Sequence, residues 1–297
     1  MKITATLCLM TLGVSCAAQI TYSNFLIHEN RALTNPALTG WADTKASMSL
    51  FQTCESAFGW TQPNHLGTTL VAEVKARKLQ GAFGFYGNYI TNKFNFVDRE
   101  GGAGIAYAWR KNITEKTVFS AGIRTGFLFS HWDYNKLNGP GSQVPSTPFP
   151  PSKSYFVPDL DLGLALISEK FWLAMAIRHV LNTDYTIITQ DGANSELKTI
   201  AEMKYRDLNL QAGYRFLLKK QMAIHTSVLV NRNKSEIIPH LVNEVWYKDM
   251  FMLGGYLNSA NEVAVNAGIR KKGFTLTGAF SPDSYNKIQV GINYVIK

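Results

Sequence analysis

From about Ala46 to Lys297, large apolar residues recur at every second position in short runs, with small or polar residues between them. A period of two marks strands whose faces meet different surroundings. In Asn261 to Arg270, Val263, Val265, Ala267 and Ile269 share one face, and Glu262, Ala264, Asn266, Gly268 and Arg270 share the other. Phe119, Ala121, Ile123, Phe127 and Phe129 likewise oppose Ser120, Gly122, Arg124 and Gly126, and Phe83, Phe85 and Tyr89 oppose Gly84, Tyr86 and Asn88. A side facing lipid must be apolar, whereas a lumen side tolerates small and polar residues, so the pattern predicts a transmembrane antiparallel β-barrel.

The connections agree. Tight turns are expected at Arg77 to Leu79, Arg110 to Lys116, Ser168 to Lys170, Leu218 to Gln221, Tyr247 to Asp249 and Arg270 to Gly273. They alternate with longer connections at Thr53 to Asn64, Ile90 to Arg99, Ser130 to Val157, Asn182 to Lys204, Asn231 to Ser235, Asn258 to Ala260 and Ser281 to Asn286. This closes residues 44–297 into about 14 strands, with both termini periplasmic and the longer loops outside, the even count usual for bacterial outer-membrane barrels. Tyr107, Trp109, Trp132, Tyr155, Trp172, Tyr247, Tyr256 and Tyr294 lie near strand ends and are expected to form outward aromatic girdles, which a soluble β-sandwich would not need.

Residues 1–18 read as a signal peptide: Lys2, an apolar stretch from Ile3 to Val14, then Cys16, Ala17 and Ala18 before Gln19. The apolar run is too short for a membrane-spanning helix. Gly13 stands where a lipoprotein signal wants an aliphatic residue, so ordinary cleavage after Ala18 is expected. Cleavage removes Cys8 and Cys16 and leaves Cys54 alone, so no internal disulfide supports the mature chain.

The formal net charge of +9 is spread over turns, where Asp and Lys mix, and no stretch clusters Lys and Arg with stacking aromatics, so nucleic acid is not an expected partner. Ser284-Tyr285-Asn286-Lys287 matches S-x-x-K but precedes a strand, not the helix that would align serine with lysine. Gly81, Gly84 and Gly87 lie on a strand and cradle no phosphate. The six histidines have no helical pairing and no cysteine partner, so neither a metal nor a cofactor nor catalytic residues are expected. His225 and Arg124 are expected to face the lumen.

Residues 19–43 lack strand alternation and contain Asn35-Pro36-Ala37-Leu38-Thr39-Gly40, whose proline and glycine argue for a fixed turn. A barrel of about 14 strands has room inside, so this segment is either a plug in the lumen or a periplasmic leader; Phe25, Leu26 and Ile27 favour burial. Glycines on the lumen face, among them Gly84, Gly122 and Gly163, leave space that a plug can approach closely.

The Asn35 to Gly40 run, placed shortly after a signal peptide, resembles the NPA-x-x-G signature of the PorP/SprF family of the type IX secretion system. Leu162-Gly163-Leu164-Ala165, Phe171-Trp172-Leu173-Ala174 and Arg178-His179-Val180-Leu181-Asn182 are similar to that family's central hairpin, including its H-x-x-N ending from His179 to Asn182. Gly254-Gly255-Tyr256 and Gly291-Ile292-Asn293-Tyr294 extend the likeness to the C-terminus, while Ser284 to Lys287 stands where the family often has a G-S-H-E-like stretch. The resemblance implies a non-enzymatic outer-membrane component of a Gram-negative secretion or gliding-motility apparatus. It would help export, or anchor at the cell surface, a secreted adhesin-like protein carrying a type IX C-terminal domain, in company with other subunits of the system. Trp132, Tyr134, Phe149, Tyr155 and Tyr185 are the expected aromatic anchors on the partner-facing loops. The alternative is a transport barrel, porin-like or substrate-specific.

Overall fold

A computed structural model describes residues 26, 31–41, 44–57, 65–92, 97–133, 152–181, 183–190, 197–204, 206–219, 221–233, 236–259, 262–282 and 285–296. Residues 1–18, read as a signal peptide, and Phe25, Ile27, Tyr134, Phe149 and Asn182 lie outside the described residues.

The strands are β1 (Ala46–Ala57), β2 (His65–Ala76), β3 (Gly81–Asn92), β4 (Val97–Thr114), β5 (Thr117–Trp132), β6 (Lys153–Ser168), β7 (Phe171–Arg178), β8 (Thr183–Gln190), β9 (Leu197–Lys204), β10 (Asp207–Lys219), β11 (Met222–Asn233), β12 (Glu236–Tyr247), β13 (Phe251–Asn258), β14 (Val263–Lys271), β15 (Phe274–Ser281) and β16 (Tyr285–Ile296). Fourteen of them close a barrel in which each strand pairs antiparallel with its neighbours in the chain, except that β7 pairs with β10. Closure is made by β1 and β16, in register from Ala46 opposite Ile296 to Ala57 opposite Tyr285. A closed sheet leaves no unpaired edge, the condition that hydrocarbon imposes on any backbone crossing it.

The faces divide as the alternation predicts. Ile123, Phe127, Val263, Val265 and Ile269 are exposed on the outer wall, while Ser120, Arg124, Ala264 and Asn266 are buried inside. Ile105 at 60%, Leu253 at 62% and Val265 at 56% exposure form part of an apolar belt around the whole barrel, a surface that only a hydrocarbon solvent satisfies. Two tight turns have the left-handed geometry that matches strand twist: Lys248 (φ 53°) with Asp249 (φ 50°), and Lys272 (φ 47°) with Gly273 (φ 87°).

Three expectations change. Trp172 and Tyr256 are not girdle residues but point inward and are buried, because they share strand parity with Ala174 and Ala176 and with Met252 and Asn258. Trp109, Tyr247 and Tyr294 do face outward. The connection at Asn182 to Lys204 is not an irregular loop but a separate two-stranded hairpin, β8 with β9, built from runs rich in Thr and Ile that favour extended pairing. Ser130 and Tyr155 are not loop residues either: β5 and β6 continue pairing out to Trp132 opposite Lys153, which confines that excursion to 133–152. Once a register is set, each further pair satisfies two backbone groups at little added entropy, so the ladder outlasts the apolar pattern that marked it.

Candidate functional site: the segment inside the barrel

Residues 31–41 pack against the inner wall. Arg31–Thr34 form a single helical turn, α1, closed by the Asn35 N–H donating to Arg31 O at 3.1 Å. A 3-10 turn, Pro36–Leu38, follows. Each residue of the Asn-Pro-Ala run has a separate task. The Asn35 side-chain oxygen caps the turn by accepting from the Ala37 N–H at 2.9 Å, and its amide nitrogen donates to the carbonyls of Met175 (2.9 Å) and Leu164 (3.4 Å). Pro36 fixes the first position of the turn, where no N–H is wanted. Ala37 is fully buried, and its carbonyl accepts from Ser120 Oγ at 2.7 Å.

The wall is shaped for this segment. A Cβ at Gly122 would overlap the Pro36–Ala37 peptide, one at Gly163 would overlap the Asn35 amide, and one at Gly84 would press on Thr39. These three are among the glycines whose space the sequence leaves for a plug. Gly40 has φ +63° and sits against Ala82, so it needs both glycine's backbone freedom and its lack of a side chain. Leu38 packs with Ala165 and Ala174, with Trp41 and Ile167 alongside.

Charged side chains clamp the backbone of the segment. Glu73 Oε1 accepts from the Gly40 N–H at 2.7 Å, and Arg110 donates to the carbonyls of Gly40 (2.6 Å) and Thr39 (2.5 Å). Arg124 Nη1 donates to Leu33 O at 2.8 Å and Ala32 O at 3.3 Å. The Arg31 guanidinium lies 4.0 Å from the Trp172 ring centroid and 4.6 Å from that of Trp41, and the two rings meet edge to face. The inward turn of Trp172 is thereby explained: it builds part of the cradle.

Leu26 lies against the opposite half of the barrel. It is fully buried with Phe51, Leu229, Val242, Tyr256, Ala264 and Ala279, from β1 and β11–β15, and its N–H donates to Gln289 Oε1 at 3.3 Å. Leu26 and Asn35 are therefore held by opposite walls.

A buried network joins the segment to the end of β7. Arg124 is ion-paired with Asp161, whose other oxygen accepts from the His179 N–H at 2.8 Å, and His179 Nδ1 bonds Asp159 Oδ1 at 2.8 Å. His179 holds a left-handed φ of 55° within these contacts. Asp159, Asp161 and His179 offer donor atoms within 4.8 Å of one another, but Arg124 already pairs with Asp161 and His179 with Asp159. A second polar chain follows the other wall: Thr34, Gln211, Asn209, Asn231, His240 and Tyr256 are linked in that order, and Lys287 bonds Glu262 at 2.8 Å beyond them.

The structure thus brings Asn35, Pro36, Ala37 and Gly40 together with Trp172 and His179, while Phe171 faces outward. Tyr155 is half-buried in β6, and Trp132 and Tyr185 are placed in strands. Sequence reasoning missed the partnership of Arg124 with Asp161. Its signal is present: Asp159 and Asp161 alternate with Leu160 and Leu162, which puts two carboxylates on an inner face.

Replacing Asn35 by alanine removes the cap and both wall bonds. The expected result is roughly 1–2 kcal/mol less holding the segment, the usual scale of a lost helix cap. Limited proteolysis should then cut near residue 35 faster than in the parent, while the barrel band in a heat-modifiability gel stays unchanged.

A closed, even-stranded barrel with an apolar outer belt is an outer-membrane protein, and the solved structures it matches are of that class. The Ralstonia pickettii toluene transporter TbuX is similar with a TM-score of 0.54 at 11% identity, over 91% of this chain and 94% of that one. A Pseudomonas aeruginosa FadL homologue is similar with a TM-score of 0.54 at 9% identity, over 91% and 94%. At such identities the likeness concerns the fold alone. No curated protein sequence matches the chain significantly. Residues 15–290 match the type IX secretion system membrane protein family PorP/SprF, and the chain belongs to that family. Family and fold are those of an outer-membrane barrel of the type IX secretion system.

Proposed function

We propose that this barrel is closed by its own N-terminal segment and serves to bind a secreted adhesin-like protein, helping to export it or anchoring it at the cell surface. In this reading both termini are periplasmic, the longer loops and the β8–β9 hairpin face outward, and the chain does no chemistry. The observation that carries it is that Leu26 is buried against one wall of the lumen and residues 31–41 against the other. A pore for solutes wants an open lumen; an anchor needs only a rigid platform with loops at its rim. Trp132, Tyr134, Phe149 and Tyr185 are the proposed anchors for the type IX C-terminal domain, and other secretion subunits would meet the barrel from the periplasmic side. A substrate-specific transport barrel is the second reading, favoured by the likeness to a toluene transporter.

The test is a mild-detergent pull-down from native outer membranes, with bound proteins identified by mass spectrometry, on the parent and on a variant lacking Gly139 to Pro151. A large secreted protein captured by the parent and lost from a variant that still folds supports the anchor. Equal capture by both removes this loop from the reading, and a solitary barrel in both favours transport.

A further inference from the structure

The sequence suggests that acidic and basic residues mix freely in the connections, but among the described residues the fold gathers most of the exposed cations at one end. At the short-turn end, the exposed Lys and Arg among the described turn residues are Arg77 and Lys78, Lys116, Lys170, Lys248 and Lys272, spread over five turns. Among the described residues the exposed acids there are Glu115, Glu169 and Asp249, and Asp249 lies 3.5 Å from Arg215. Among the described residues at the long-loop end, Lys287 pairs with Glu262 and Glu55 and Arg99 with Asp98, while Arg206 and Arg232 are exposed.

Two further exposed lysines at this end, Lys111 and Lys271, are on the lipid side, as is Lys248. Lys111 follows Trp109 on the outward parity of β4, and Lys271 follows Ile269 on that of β14. The Lys248 ammonium lies 5.3 Å from the ring centroid of Tyr247, itself exposed on the outer wall. A lysine beside an interfacial aromatic lays its stem on the apolar belt and its charge at headgroup depth.

We propose that the short-turn rim is a binding ring for anionic phospholipid headgroups, of the phosphatidylglycerol or cardiolipin kind, in the leaflet it faces; that this leaflet is periplasmic rests on the orientation proposed above. Charge complementarity names the chemistry, and the distribution names the occupant. An acidic protein docking at this end would need cations on one sector, whereas a shell of lipid meets every turn around the circumference.

The experiment uses the protein purified from outer membranes and reconstituted in dibrominated phosphatidylcholine, which quenches nearby tryptophan. Unbrominated phosphatidylglycerol or phosphatidylcholine is then added, and the Trp109→Phe variant isolates the signal of that residue. Phosphatidylglycerol should displace the quencher from Trp109 about fivefold more effectively than phosphatidylcholine, the factor that one lysine near an anionic surface provides. The preference should vanish in 1 M sodium chloride and fall to near unity in R77Q/K78Q/K111Q/K116Q, which removes the exposed cations of the two turns beside Trp109. Equal displacement by both lipids in the unaltered protein at low salt overturns the proposal and turns the ring toward an acidic periplasmic protein. Full preference retained by the quadruple variant, or in high salt, overturns it too. The salt comparison needs no variant to fold, and the bilayer signal is independent of cargo capture, so failure of the anchor reading would leave this result standing.

Discussion

Replacing Gly163 by leucine is expected to drive the N-terminal segment off the wall and open the lumen to ions. Even a Cβ at this position overlaps the Asn35 side-chain amide, which caps the turn at residues 36–38 and donates to two wall carbonyls. The barrel backbone cannot yield, because Gly163 is paired on both sides, with Gly122 of β5 and Ala176 of β7. The segment must yield instead, and with Asn35 displaced it loses the bond from Ser120 and the burial of Leu38. At about 1 kcal/mol for each such hydrogen bond and 1.5–3 kcal/mol for a buried leucine, docking on this wall would be largely lost. In planar bilayers the parent should give few or no conductance steps and Gly163→Leu sustained ones. Gly122→Leu, which meets the Pro36–Ala37 peptide, should behave alike. A folded variant, judged by heat-modifiable migration, that conducts no more than the parent would show that these residues do not gate the lumen. An already conducting parent would sink the closed-barrel reading itself.

The second large effect is expected at Arg124. Its replacement by leucine leaves Asp161 buried with no counter-charge, and also strips the carbonyls of Ala32 and Leu33 of their donor. Breaking a buried ion pair from one side costs about 3–5 kcal/mol, far more than the pair contributes when compared with apolar residues of the same shape. Unfolding in guanidinium should therefore shift to clearly lower denaturant in Arg124→Leu. Adding Asp161→Asn should recover a substantial part of the loss, because the orphaned charge is gone while the amide can still accept from the His179 N–H. A double variant as unstable as the single one would mean that Arg124 acts through its bonds to the segment and not through Asp161.

Much of this site was readable before any coordinates. The cap-proline-small-glycine order at Asn35 to Gly40 specifies its own tight turn, since each residue answers a local requirement of backbone geometry. Glycines on the inner parity of β3, β5 and β6 marked where something approaches closely. The clamps were not readable: Arg110, Arg124, Glu73 and Gln211 look like ordinary lumen-side polar residues, and only the docked backbone shows what they hold. Trp172 was misjudged because position near a strand end was weighed above parity, although parity was the stronger signal.

The sequence by itself determined that the chain crosses a membrane as a closed sheet, which face of most strands meets lipid, and where the tight turns fall. These depend on alternation and turn chemistry, both properties of a few neighbouring residues. Tertiary structure alone decided that β7 passes over the β8–β9 hairpin to pair with β10, and that Leu26 and Asn35 reach opposite walls. It also set Arg124 against Asp161 and gathered the positive charge at one rim. The reason is physical: a strand's period states which side of a sheet a residue faces, but the wall partners of the segment lie 33 to 263 residues away in the chain and meet it only once the register of the strands is set.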